Sequence, residues 1–148
     1  MRHVCLGVLC GLAIMLTGCG GGGNSSGNVS GNWSATLSSK GATILTFNTV
    51  LTQGSSSSIS VSNLVFTTST NCFGSGTTAS STYQPSAENG MPANAFSLTM
   101  QTSSSFVNGT NQLVLQGTVS NSSIGGTWAL TGTGEGCTGS GSFTMSEF

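Results

Sequence analysis

From Gly31 onward, apolar and polar residues alternate along the chain, which is the period-2 pattern of half-buried β-strands. No segment has the 3.6-residue period of an amphipathic helix. Thr, Val, Ile and aromatic residues also pack well on a pleated surface. The pattern predicts eight antiparallel strands in an up-and-down β-barrel or, alternatively, in a two-sheet β-sandwich. The alternating apolar sets fall at 33–37, 45–51, 59–66, 79–83, 96–100, 113–119, 124–130 and 143–145.

The third strand changes its parity in the middle. Ile59 and Val61 share one parity, whereas Leu64 and Phe66 have the other. An extra residue in one strand of a pair turns the following side chains to the opposite face. The sequence therefore predicts a β-bulge near Ser62 and Asn63.

The N-terminus has the organisation of a secretory signal. Arg2 and His3 precede 13 apolar residues, 4–16, a run that is too short for a membrane span of about 20 residues. The motif Leu16-Thr17-Gly18-Cys19 follows and resembles the lipobox of bacterial lipoproteins, although the basic start is shorter than usual. The resemblance implies cleavage after Gly18 and a diacylglyceryl group on the Cys19 sulfur.

These boundaries divide the chain into a signal at 1–18, a lipidated Cys19 with a Gly/Ser-rich tether at 19–29, and one β domain at 30–148. The nine residues 20–28 span about 15–18 Å as a flexible coil. Because Gly20, and not Asp, follows the cysteine, the expected location is the cell envelope, and the outer membrane if the cell is Gram-negative. The alternative is an ordinary secretory signal cut within 18–23, which would release a soluble protein.

Two cysteines remain in the expected β domain, Cys72 and Cys137. An even pair in an oxidising compartment indicates a disulfide, and two free thiols are the alternative. In an eight-strand meander, the loops after the third and seventh strands lie at the same end, and each carries one of these cysteines.

The composition excludes several kinds of chemistry. Ser, Thr and Gly make up 71 of the 148 residues, Asp is absent, and the only Arg and the only His lie in the expected signal. Without an imidazole no serine is activated as a nucleophile, and two cysteines alone do not make a zinc site. Since Lys40 is the one remaining cation, nucleic acid is excluded as a partner. No metal or other cofactor is indicated.

Glu88 and Glu135 are the one candidate pair for acid–base catalysis, as in glycosidases. Glu88 lies in the loop after the fourth strand and Glu135 in the turn after the seventh. The predicted topology puts these loops at opposite ends, so we expect solvated glutamates and no enzyme activity.

Trp33 and Trp128 are the candidate ligand-binding residues. Each follows a glycine by two positions, in Gly31-Asn32-Trp33 and Gly126-Thr127-Trp128, which resembles the strand openings of small binding barrels of the avidin and lipocalin type. Exposed indoles could stack on sugar rings. Their parity matches the apolar residues of their own strands, however, which favours core packing.

Taken together, the chain resembles small uncharacterised Thr/Ser/Gly-rich β lipoproteins of Gram-negative soil bacteria, a group from which no activity carries over. The sequence predicts a lipid-anchored envelope domain with a non-catalytic interaction or structural role. The alternative is a small-molecule or glycan binding barrel. Candidate partners besides the membrane are a glycan, a lipophile or an envelope protein.

Overall fold

Eight antiparallel strands, each hydrogen-bonded to the next, close into a barrel when β8 pairs with β1. The structure is a computed structural model, and it describes residues 28–102 and 110–148. The described residues contain no helix, which confirms the predicted all-β class, and the closed sheet confirms the predicted up-and-down barrel over the two-sheet sandwich. The strands are β1 Gly31–Ser39, β2 Ala42–Gln53, β3 Ser58–Phe66, β4 Thr78–Gln84, β5 Ala95–Thr102, β6 Asn111–Ser120, β7 Ser123–Gly132 and β8 Gly139–Glu147.

The up-and-down topology gives the barrel two distinct ends. At the end that we call the entry end, the described chain begins at Asn28 and finishes at Phe148, and the loops after β2, β4 and β6 lie there as well. The loops after β1, β3 and β7 lie at the opposite end, which we call the distal end. The expected signal, Cys19 and the tether up to residue 27 fall outside the described residues.

The barrel interior is filled by the apolar residues of the alternating pattern. Trp33, Ala35 and Leu37 of β1 are buried, whereas Ser34 is exposed. The other strands contribute in the same way, so that one contiguous cluster occupies the interior, as expected for a small barrel whose side chains fill the lumen.

The predicted bulge is present in β3. Asn63 and Leu64 together oppose Thr49 of β2, and Asn63 has a positive φ of 49°. The Thr49 hydroxyl donates a hydrogen bond of 2.9 Å to the Ser62 carbonyl oxygen at this point. Since the extra residue reverses the parity, Leu64 and Phe66 pack against the core as Ile59 does before the bulge.

Two paired glycines allow close packing on the inner face of the sheet. Gly117 of β6 lies opposite Gly126 of β7, and Phe96 and Phe143 flank the pair on the neighbouring strands. A Cβ atom on Gly126 would collide with the Gln116 carbonyl, and one on Gly117 would lie 3.0 Å from the Phe143 ring. A side chain at either position would therefore force the strands or the ring to move.

A disulfide joins two distal loops. Cys72, between β3 and β4, is bonded to Cys137, between β7 and β8, and their Cα atoms are 5.5 Å apart. The predicted pairing is thus confirmed, and so is the placement of both loops at one end.

Replacing Gly126 by Ala should lower the free energy of unfolding by about 1–3 kcal/mol, since overpacking at a backbone contact forces a shift of the sheet. Gly125→Ala is the matched control, because a Cβ there meets the Phe143 carbonyl oxygen at an ordinary 3.8 Å. Thermal unfolding followed by circular dichroism compares the two variants. Equal melting temperatures would contradict the close approach.

Replacing both Cys72 and Cys137 by Ser should lower the free energy of unfolding by about 4 kcal/mol. This is the chain-entropy value for a closed loop of 65 residues. Denaturant unfolding with and without reductant measures it: reductant should destabilise the wild type and leave the double variant unchanged. A wild type that is insensitive to full reduction would show that the bond contributes nothing.

Candidate functional site

Trp33, one of the two predicted binding residues, lies in the core near the entry end. Its side chain is fully buried, and the indole N–H donates a hydrogen bond of 2.9 Å to the Val29 carbonyl oxygen. This bond satisfies the only polar atom of the ring. The ring thus anchors the segment that leads into β1.

Trp128 is also packed inside the barrel, with 5% of its surface exposed. Its indole N–H donates to the Ser38 carbonyl oxygen at 3.0 Å. Gly139 and Gly141 of β8 make room for the ring, since a Cβ on Gly139 would lie only 3.2 Å from it.

The two tryptophans lie far apart along the barrel and therefore do not form one site. Trp33 pairs with Glu147 of β8, and Trp128 pairs with Gly141 of the same strand. These partners are six residues apart, which is about 20 Å at 3.4 Å per residue. With both rings buried and both N–H groups bonded, neither indole is presented for stacking on a sugar.

The candidate carboxylates lie at opposite ends of the barrel. Glu88 is in the loop after β4 at the entry end, where it accepts a hydrogen bond of 3.1 Å from the Gln84 amide. Glu135 is in the loop after β7 at the distal end. The topology therefore does not bring them together as the pair of a glycosidase site.

A polar network holds the disulfide loop at the distal end. The buried Asn111 side chain donates a hydrogen bond of 2.9 Å to the Cys72 carbonyl oxygen, and its backbone N–H donates to the Thr102 hydroxyl at 3.3 Å. Its Oδ1 atom has no hydrogen-bond partner within 28–102 and 110–148. This network fixes the position of the Cys72 loop against β5 and β6.

A cleft with a mostly apolar lining lies at the entry end, and the sequence did not predict it. Its volume is about 380 Å³, within the range of about 300–1,000 Å³ that is usual for ligand sites. It lies between the loop after β4 and the strands β4, β5 and β6. The lining is mostly apolar and includes Tyr83, Gln84, Met91, Pro92, Ala95 and Phe96, with no charged residue among its members.

A tight hairpin turn presents Met91 at this cleft. Glu88 and Met91 exchange two backbone hydrogen bonds of 3.2 and 2.9 Å. The two residues between them, Asn89 and Gly90, have φ values of 52° and 80°. Positive φ at both central positions is the geometry of a type I′ turn, for which Asn-Gly is the preferred sequence. The turn leaves the Met91 side chain 52% exposed.

Two polar side chains at the cleft, those of Tyr83 and Gln84, have partners within the protein. The Tyr83 hydroxyl donates a hydrogen bond of 3.0 Å to Asn94 Oδ1, and the Gln84 amide donates to Glu88. The Tyr83 backbone N–H donates to the Ser57 carbonyl at 2.7 Å. Ser57, Thr82, Ser97 and Gln116 also line the cleft, but most of the surface that the lining exposes is apolar, which suits a hydrocarbon ligand.

Sequence reasoning could have found one part of this cleft. Asn89-Gly90 is a strong signal for a hairpin turn, and it stands directly before the apolar residues Met91 and Pro92. The approach of this turn to β5 and β6 depends on the folded barrel and has no local signal.

Within 28–102 and 110–148, no group of three or more His, Cys, Asp or Glu side chains is placed to hold a metal ion. The described residues also include no helix that is long and apolar enough to span a membrane. In comparisons with known proteins, no family model, curated protein or solved structure matches this chain.

Burial of both indoles predicts a blue-shifted tryptophan emission that iodide quenches far less in the folded protein than in the unfolded protein. Titration with soluble oligosaccharides should leave this emission unchanged. Strong quenching of the folded protein, or a saturable change with a sugar, would show that an indole is accessible and would support the tryptophan binding site.

Proposed function

We propose that this protein is an envelope lipoprotein, anchored by acyl chains at Cys19, whose β-barrel has a non-catalytic interaction or structural role. The observation that carries the proposal is the motif Leu16-Thr17-Gly18-Cys19 after a short apolar run. Two or three acyl chains on one residue suffice for stable membrane anchoring, whereas a single chain binds only marginally.

The position of the chain entry supports this arrangement. Only residues 20–28 separate Cys19 from the segment that leads into β1, and a coil of that length spans about 15–18 Å. An anchor at Cys19 would therefore keep the entry end of the barrel close to the lipid surface. The distal end, with the disulfide, would face away from it. The membrane would be the outer one if the cell is Gram-negative, since Gly20 follows the cysteine.

The outer surface of the barrel suits contact with uncharged polar partners. Thr78, Gln101, Gln112 and Thr131 form one row across four neighbouring strands through the observed register. Hydroxyl and amide groups of this kind both donate and accept hydrogen bonds. A glycan or another envelope protein is therefore the expected partner of this surface, and the separation of Glu88 from Glu135 supports a role without catalysis.

A second candidate function is the binding of a small apolar molecule. The observation that favours it is the cleft at the entry end, and not Trp33 or Trp128, because the cleft is open and apolar whereas both rings are packed in the core.

Lipidation at Cys19 can be tested by expressing the full chain in a Gram-negative host that is fed an alkyne-tagged palmitate. We expect the protein to carry the label and to sediment with membranes. Cys19→Ser should abolish the label, whereas Cys10→Ser, a change within the expected signal, should leave it at the wild-type level. Unlabelled protein in the soluble fraction would instead indicate an ordinary secretory signal and would refute the anchor.

A further inference from the structure

We infer that the cleft beside the Asn89-Gly90 turn binds a single hydrocarbon chain. The inference concerns the described barrel and names the ligand class of the second candidate function. The inference depends on the proposed membrane anchor in one respect only, because the anchor would make the bilayer the nearest source of such a chain.

The chemistry of the lining selects an apolar ligand over a polar one. No charged residue lines the cleft, and Met91, Pro92, Ala95 and Phe96 supply apolar groups to its lining. A sugar would need donors and acceptors to replace its water contacts, since unpaired polar groups are costly in a desolvated site. Tyr83 and Gln84 already bond within the protein, and the lining exposes far more apolar than polar surface, although Ser57, Thr82, Ser97 and Gln116 also contribute to it.

The mouth of the cleft is suited to a ligand of variable length. Met91 is held in place by the backbone hydrogen bonds of its turn, whereas its side chain is half exposed. A methionine side chain is flexible and polarizable, so that it adapts to an alkyl chain more readily than a rigid aromatic residue does. Each methylene that leaves water for the cleft favours binding.

The location brings hydrocarbon chains within reach. The cleft lies at the entry end, where the described chain begins, and a lipid anchor at Cys19 would place this end beside the bilayer. Three sources share the same chemistry: a phospholipid acyl chain, a free fatty acid, and an acyl chain of the anchor itself. The experiment distinguishes a separate lipid from the anchor.

The test uses the full chain in cells that are fed a palmitate bearing both an alkyne and a photoreactive diazirine. After irradiation, the protein is purified under denaturing conditions, reduced, and cleaved after glutamate. Because Glu88 and Glu135 are the only internal cleavage sites before Glu147, the fragments separate cleanly. Cys19 lies in the fragment that ends at Glu88, and Met91, Pro92 and Ala95 lie in fragment 89–135.

We expect light-dependent label in fragment 89–135, located by mass spectrometry on Met91, Pro92 and 95–97. Lipid mass alone on this fragment would identify a phospholipid or a fatty acid. A covalent link between this fragment and the one that carries Cys19 would identify the anchor's own acyl chain. Either product supports the inference. Label confined to Met91 would show only that the turn touches the bilayer, and it would overturn the inference, as would the absence of light-dependent label.

Two variants that each introduce a lysine test the cleft, one at its mouth and one as a matched control elsewhere. Met91→Lys puts a cation at the mouth of the cleft and should reduce the light-dependent label at least about fivefold, because a charge is disfavoured beside a desolvated hydrocarbon. Ile44→Lys makes the same change at a residue that is 49% exposed near the distal end, and it should leave the label at the wild-type level. Equal labelling of the two variants would overturn the inference.

The same experiment tests the proposed anchor independently of the cleft. Label that is independent of light in the fragment with Cys19 reports lipidation. Its absence would refute the proposed anchor, whereas the light-dependent label in fragment 89–135 would still decide whether the cleft binds a hydrocarbon chain.

Discussion

Hydrogen bonding between β1 and β8 is the interaction on which the rest of the molecule depends. It runs from Trp33 opposite Glu147 to Ser38 opposite Ser142 and turns an open meander into a closed barrel. Unpaired strand edges invite association with other chains, and proteins usually protect them with charged side chains. This chain has only two Lys or Arg and three Glu residues in total, so that closing the sheet takes the place of charged protection. Closure also defines an interior, in which the apolar face of every strand can be buried at once.

The up-and-down strand order assigns each loop to one of the two ends of the barrel. The distal end carries the disulfide between Cys72 and Cys137 and the Asn111 network beneath it, which tie loops and strands together covalently and by hydrogen bonds. The entry end carries the Asn89-Gly90 turn, the apolar cleft and the start of the described chain. The cross-linked distal end and the apolar cleft are thus separated by the length of the barrel, and an anchor at Cys19, as proposed, would place the cleft on the side of the lipid.

The tryptophans show how a residue type can suggest the wrong part of a structure. Trp and Tyr side chains have a large apolar body and one polar atom, and they are common both in binding sites and in cores. Trp33 and Trp128 lie in the core because backbone carbonyls at Val29 and Ser38 accept their N–H groups, and because glycines in β8 leave space for one ring. The cleft is formed instead by Met91 and its neighbours, residues that attract less notice in a sequence.

The sequence by itself determined the local features of this protein. Alternation with a period of two depends only on neighbouring residues, so that the eight strands, the change of parity at Ser62 and Asn63, and the inward direction of Trp33 could be read directly. The pairing of Cys72 with Cys137 followed from the even number of cysteines expected in an oxidising compartment, and the strand count was consistent with it. The tertiary structure alone decided between barrel and sandwich, because the contact of β1 with β8 joins the two ends of the domain. It also decided the close approach of Gly117 to Gly126 and the cleft, since both need strands and loops that are distant along the chain to meet in space.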